Sequence, residues 1–314
     1  MERFKNILLY ANSTTDNKTA LKYAASLARK NKANLTVVDV IKEESTYTPI
    51  LPESIKDFNL RDILHNERHE DLEHLVNPYK EHGTNIKVKV LFGIPFIEII
   101  RKIVGTKHDL LITTPQGPGG MGEKLFGTTS MHLMRKCPCP VWAIKPEKET
   151  GLKRIMAAVK YDQLDKELNA LNTKIMELAA SLARSYRSEL HIVHAWRLPG
   201  EKKFKNIRSI RQDEVDKIMK KTLETHKEWL EELVQKQAPS IPKDHVHQLK
   251  GKAGDLIPET AKKERIDLVV MGTLGRTGIP GLFIGNTAEK ILLQIDCSVM
   301  AVKPDGFVSP VKSE

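Results

Sequence analysis

Short apolar runs alternate along this chain with longer stretches whose apolar positions recur every three or four residues. The first run, 6–11, reads Asn-Ile-Leu-Leu-Tyr-Ala, the pattern of a strand buried on both faces. From about Asp16 the period changes, and Ala20, Leu21, Ala24, Leu27 and Ala28 share one helical face. Further strands are expected at 35–40, 86–91, 110–113 and 141–144. Between them the pattern predicts helices over 60–76, from Pro95 and from Thr128. A polar, proline-containing loop follows the second strand, and a glycine-rich one follows the fourth. Strands alternating with helices predict an α/β fold with a parallel sheet covered on both faces, and a site at the carboxyl ends of the strands.

The same order is written a second time. Ala25-Ser26-Leu27-Ala28-Arg29 recurs as Ala180-Ser181-Leu182-Ala183-Arg184, an offset of 155. Farther on, Gly93 and Gly251, Asp109 and Asp267, Gly117 and Gly275, Gly127 and Gly285, and Cys139 and Cys297 are all offset by 158. Such a period is too long for a solenoid and marks a duplicated domain. The boundary is expected in the charged stretch 146–151, which separates domains at 1–147 and 148–314. The second copy differs by a longer helix, over about 213–237.

A length of 314 residues suits two domains, and 40% hydrophobic against 5% aromatic content predicts aliphatic cores. No apolar run is long enough to span a membrane, and the N-terminal residues lack the apolar stretch of a secretory signal. Three cysteines, an odd and sparse number, argue for a reducing compartment, so a cytoplasmic location is expected. The net charge of +10 comes from lysines interspersed with acids, the pattern of solvated helical faces, and no DNA-binding motif is present.

The candidate chemistry lies in the second copy. An apolar run, 266–271, leads into Gly272, Gly275 and Gly285, and a helical pattern over 288–293 follows. A strand, then glycines, then a helix start lets backbone N–H groups converge on an anion. The alternative is structural: the glycines make a turn, and Asn286 and Glu289 start the helix with capping-box-like spacing. A Walker-type loop is absent, as is a Gly-x-Gly-x-x-Gly after the first strand, which argues against a P-loop ATPase and a nicotinamide dehydrogenase.

Gly-x-x-Gly, nine residues, then Gly, set between the fourth strand and the last helix, resembles the loop of the universal stress protein family. The duplication and the Cys-Ser-Val-Met-Ala-Val-Lys tail at 297–303 add to the likeness, which covers nearly all of both halves. The resemblance implies two tandem Rossmann-like domains of the adenine nucleotide alpha hydrolase-like type, each with five parallel strands. It also implies a stress-response binding or regulatory role, with ATP and Mg2+ as the candidate ligand, or another phosphate-bearing small molecule. Single-domain relatives often dimerise through the last strand, so the two halves are expected to form an internal pseudo-dimer.

In ATP-binding members an acidic residue ends the first strand, and a Ser or Thr follows the last glycine. The acid corresponds here to Asn12 and Lys160, neither acidic. Lys160 either opposes an incoming cation or pairs with phosphate, and Asp162 lies two residues on. In the second copy the glycines are kept, Asn286 stands at the hydroxyl position, and Thr287 is a substitute. The first copy is degenerate, with Thr114 in place of the first glycine, although Gly117, Gly127 and Thr128 remain.

Among other constellations, His65 and His69 lie four apart but lack the metalloprotease pattern. His191 and His194 point to opposite faces of a strand. His245 and His247 share a face, but two ligands make a poor metal site, so no metal is expected. Cys137 and Cys139 read as buried or half-buried thiols, and no catalytic residue stands out. The long helix presents Ile218, Leu223, Trp229, Leu230 and Leu233, which packing on the sheet accounts for in the main. The expected function is a binding or regulatory module. The alternatives are a slow ATP hydrolase at the same loop, which Lys160 disfavours, and a module for apolar or acyl ligands or protein partners.

Overall fold

A computed structural model describes residues 3–42, 60–81, 83–115, 126–145, 151–162, 165–198, 200–201, 212–273 and 284–312. The chain divides into two compact units, one mainly of residues 1–148 and the other mainly of residues 149–306.

In the first unit the strands are β1 (Asn6–Tyr10), β2 (Asn34–Ile41), β3 (Ile86–Phe92), β4 (Leu110–Thr113) and β5 (Val141–Ala143). They pair in parallel in the order β3-β2-β1-β4-β5. Their helices are α1 (Lys18–Asn31), α2 (Leu60–Lys80), α3 (Pro95–Thr106) and α4 (Thr128–Lys136). The core is aliphatic as composition predicts: Ile7, Leu8, Leu9, Leu35, Val37, Leu111 and Ile112 are fully buried. The face of α1 expected to be apolar is the buried one.

The second unit repeats this with β6 (Arg154–Val159), β7 (Glu189–Trp196), β8 (Val246–Lys250), β9 (Leu268–Gly272) and β10 (Ser298–Val302). Their parallel order is β8-β7-β6-β9-β10. Its helices are α5 (Lys166–Tyr186), α6 (Gln212–Gln237), α7 (Ala253–Lys263) and α8 (Asn286–Gln294), with a 3-10 turn at Lys243–His245 before β8. The architecture is thus α/β and Rossmann-like in each unit, with helices on both sides of a parallel sheet. On α6 packing explains less than expected: Leu230 and Leu233 are buried, Trp229 is half-buried, and Ile218 and Leu223 are exposed.

Two polar devices recur in both units. Asp109, just before β4, accepts the N–H groups of Lys5 (2.6 Å) and Asn6 (3.1 Å) at the start of β1. Asp267, just before β9, does the same for Lys153 (2.7 Å) and Arg154 (2.8 Å) at the start of β6. Asn17 and Asn172, buried on α1's N-cap and on α5, donate their amides to the carbonyls of Asn12 (2.7 Å) and Lys160 (2.6 Å). A carboxylate thus ties the start of each central strand, and an amide ties its exit.

Removing the Asp267 carboxylate leaves two backbone donors at the start of β6 without it. Asp267→Ala is expected to lower the stability of the second unit by about 1.5–3 kcal/mol, read by urea unfolding monitored by circular dichroism. An unchanged midpoint would show that solvent replaces the carboxylate at no cost.

Candidate functional site

In each unit the strand order reverses beside the first strand, so the crossovers diverge there and leave a crevice at the carboxyl ends. In the first unit β1, β2 and the starts of α3 and α4 enclose a cleft of about 410 Å³. Tyr10, Asn12, Asp39, Arg68 and Thr129 are among its lining residues. Asp39 is 2% exposed at the end of β2, where its carboxylate accepts the Val40 N–H at 2.7 Å. Arg68, from α2, meets it at 2.6 Å and donates to the Ala11 carbonyl at 3.0 Å. Burial, reinforced by the Asp39 charge, pushes the Tyr10 phenol well above its usual range. It therefore stays protonated as a hydrogen-bond donor at neutral pH.

Asn12 lines this cleft and is half-buried, its side-chain oxygen held by the N–H and hydroxyl of Thr14, both at 3.1 Å. Thr114 is buried, and its hydroxyl finds no hydrogen-bond partner among the described residues. Gly127 is the N-cap of α4. Thr128 points to solvent, and the neighbouring Thr129 lines the cleft in its place. Gly117 lies outside the described residues.

In the second unit the corresponding positions carry rings. His194 stands where the first unit has Asp39, and His226 of α6 meets its Nε2 at 2.7 Å. The other ring nitrogen of His194 faces the Val159 carbonyl at 3.2 Å. Tyr161 packs edge-on against His226 with centroids 4.8 Å apart, and Trp229 lies 5.2 Å from Tyr161. Burial drives His194 down to about 4, and the neighbouring His226 adds to the effect.

The described loop residues of the second unit lie at the end of β9 and the start of α8. Gly272 ends β9, and a Cβ there would approach a Leu171 methyl to 2.9 Å, so the glycine lets α5 lie on the strand end without moving that side chain. Gly285 is the N-cap of α8, in extended conformation and without a side-chain cap. Asn286 is therefore the first helical residue, and the capping-box spacing with Glu289 does not make the N-terminus, because the helix begins one residue earlier than that spacing needs. Asn286 and Thr287 are exposed, as is the side chain of Lys160, whose backbone N–H is held by Asn172 at 3.1 Å. Lys303, 1% exposed just after β10, donates to the Thr273 hydroxyl beside the exit of β9. Gly275 lies outside the described residues.

Sequence reasoning missed Asp39, Arg68 and the His194–His226 pair. Their one signal was a polar residue at the same place in each second strand, inside an apolar run.

The Universal stress protein family profile matches residues 3–145 and 152–303, so the chain belongs to that family and carries two copies of its domain. Along its whole length it is similar to universal stress protein E. The Photorhabdus laumondii protein of that name is 28% identical over 321 residues, spanning 100% of this chain and 99% of the relative. The Escherichia coli K12 protein is 28% identical over 318 residues, spanning 99% and 98%. Among solved structures, a putative universal stress protein from Pseudomonas aeruginosa UCBPP-PA14 matches with a TM-score of 0.74 at 22% identity, covering 98% of this chain and 95% of that one. One from Archaeoglobus fulgidus matches with a TM-score of 0.63 at 18% identity, covering 96% and 99%. These likenesses establish the fold.

The neutral His194 of the folded chain has a proton affinity below that of an unfolded histidine, near 6.5. Its contribution to stability is complete above pH 6.5 and is lost as pH falls toward about 4. The melting temperature of the wild type minus that of His194→Gln should therefore decrease over this window. A difference that stays flat with pH would contradict the buried neutral imidazole.

Proposed function

We propose that this chain is a cytoplasmic stress-response binding protein that holds a phosphate-bearing small molecule in its second unit, with ATP and Mg2+ as the candidate. The observation that carries this reading is the α8 N-terminus. Its N-cap, Gly285, presents bare backbone with no side chain of its own to cap the first turn, and Thr273, whose carbonyl accepts the Gly285 N–H at 2.9 Å, is met by the buried Lys303 amine. Backbone donors and a nearby cation favour an anion. Asn286, Thr287 and Lys160 supply further donors around it. No helix among the described residues is long and apolar enough to cross a membrane.

The 410 Å³ cleft favours a second reading, in which the ligand is held by the first unit between Tyr10, Asn12 and Arg68. Its size suits a small polar molecule, and Thr129 at the start of α4 brings a helix N-terminus to its wall. A hydrolase needs a metal-binding carboxylate and a positioned water, and Lys160 in the slot of the acid that ends the first strand counts against one in the second unit, which favours binding without turnover.

Calorimetric titration of ATP, ADP and AMP with Mg2+ into the intact chain tests both readings. Gly285→Val is compatible with the extended backbone there and puts methyls over the α8 donors; it should abolish second-unit binding. Ser13→Trp fills the first-unit cleft and should abolish binding only under the second reading. No heat with any nucleotide and no thermal shift would remove nucleotide binding and leave the family assignment intact.

We further propose that the two units pack as an internal pseudo-dimer through β5 and β10. Each is the terminal strand of its own sheet order, with one side unpaired within its unit. Small-angle scattering should then give a radius of gyration of about 20 Å, as for one compact body of this length. A clearly larger value would describe separated halves.

A further inference from the structure

A cluster that the proposed binding function does not use lies at the amino end of the second sheet, where β7 meets the turn leading into its edge strand β8. We propose that Glu189, His191 and His245 form a site for a divalent transition-metal ion, with Zn(II) the best fit. The three come from the start of β7 and the 3-10 turn before β8, and their ligand atoms lie within 4.8 Å of one another.

The hydrogen bonds around the histidines favour a metal. His191 is 3% exposed, yet its Nε2 has no hydrogen-bond partner among the described residues. A buried polar nitrogen left without a partner is rare and unfavourable. That atom faces the Glu189 carboxylate at 3.8 Å. The other nitrogen, Nδ1, lies 3.2 Å from Nε2 of His247 on β8. The Nδ1 of His245 lies 3.2 Å from the Leu190 carbonyl. With both Nδ1 atoms donating, each ring keeps its proton there and presents a free Nε2 lone pair. This is the outer-shell arrangement found around metal-bound histidines. His247 is thus a positioning residue that acts through His191.

Two imidazoles and one carboxylate suit Zn(II) and leave a fourth position for water. Tetrahedral bonds of about 2.0 Å would draw the ligand atoms to about 3.3 Å from one another. The buried His191 supplies the fixed point for this contraction, while Glu189 is exposed and His245 half-exposed, so both can move. The His191 and His245 rings now stack at 4.1 Å, so His245 must tilt to aim its lone pair at the same ion. Arg154 holds at 2.8 Å the same Glu189 oxygen, Oε2, that lies 3.8 Å from His191 Nε2, so the exposed carboxylate must turn its Oε1 toward the ion on binding.

The test is titration of Zn(II) into the untagged full-length chain, followed by competition with a chromophoric chelator. One ion per chain is expected. His245→Ala and Glu189→Gln, both at accessible positions, should each weaken binding at least tenfold, about the lower end of what even outer-shell losses cost. His247→Phe should weaken it about 10–100-fold without removing a ligand. The double variant Cys137→Ser, Cys139→Ser should bind as the wild type does. Failure of the wild type to take up Zn(II) at micromolar concentration would overturn the proposal. So would unchanged affinity in both His245→Ala and Glu189→Gln, or loss of the ion only in the cysteine variant.

Discussion

Parallel pairing of each central strand governs the rest of the architecture. β1 is hydrogen-bonded to β2 on one side and to β4 on the other, and β6 is likewise held between β7 and β9. A parallel neighbour can be reached only by a crossover, so all strands of a sheet deliver their outgoing loops to the same end. The crossovers from the central strand run opposite ways, and side chains of distant sequence meet where they part. The paired aspartates, Asp109 and Asp267, and the paired asparagines, Asn17 and Asn172, hold the two ends of this strand in register with its surroundings.

On that common frame the two units carry different electrostatics. The first has an ion pair at the end of its second strand, Asp39 with Arg68, over which an open cleft remains. The second has two imidazoles with Tyr161 and Trp229 packed around them. A carboxylate and a guanidinium need polar surroundings and leave room for solvent or a ligand, whereas neutral rings close on one another. The duplicated domain thus retains its backbone while the chemistry of its floor diverges.

Much of the fold was legible because its signals are local and periodic. The apolar run at 110–113 and the start of α4 at Thr128 are both observed as expected, and the shift of period after the first strand marks α1. The site was less legible because its members are brought together by the sheet. Glu189 and His191 lie on β7 and His245 in the turn before β8, and a reading of pairs along the chain joins His245 to His247 and His191 to His194 but not these three. The glycine spacing pointed to the second unit, yet a cleft among the described residues lies in the first, where Arg68 and Asp39 meet only once α2 lies on β2. The α8 N-terminus differed by one residue, because Gly285 can cap a helix with no side chain at all.

The contact between Gly272 and Leu171 bears on what a motif residue records. At the equivalent places the first unit has Thr114, with Asp16 and Ala20 where the second has Leu171 and Ile175. A larger side chain at the strand end accompanies smaller or solvent-directed ones opposite it, and a bare strand end accompanies two bulky aliphatics. Volume is exchanged across the helix–strand contact. A glycine held in place by such an exchange would persist in a copy that had given up its ligand, as a trace of how closely one helix lies on one strand.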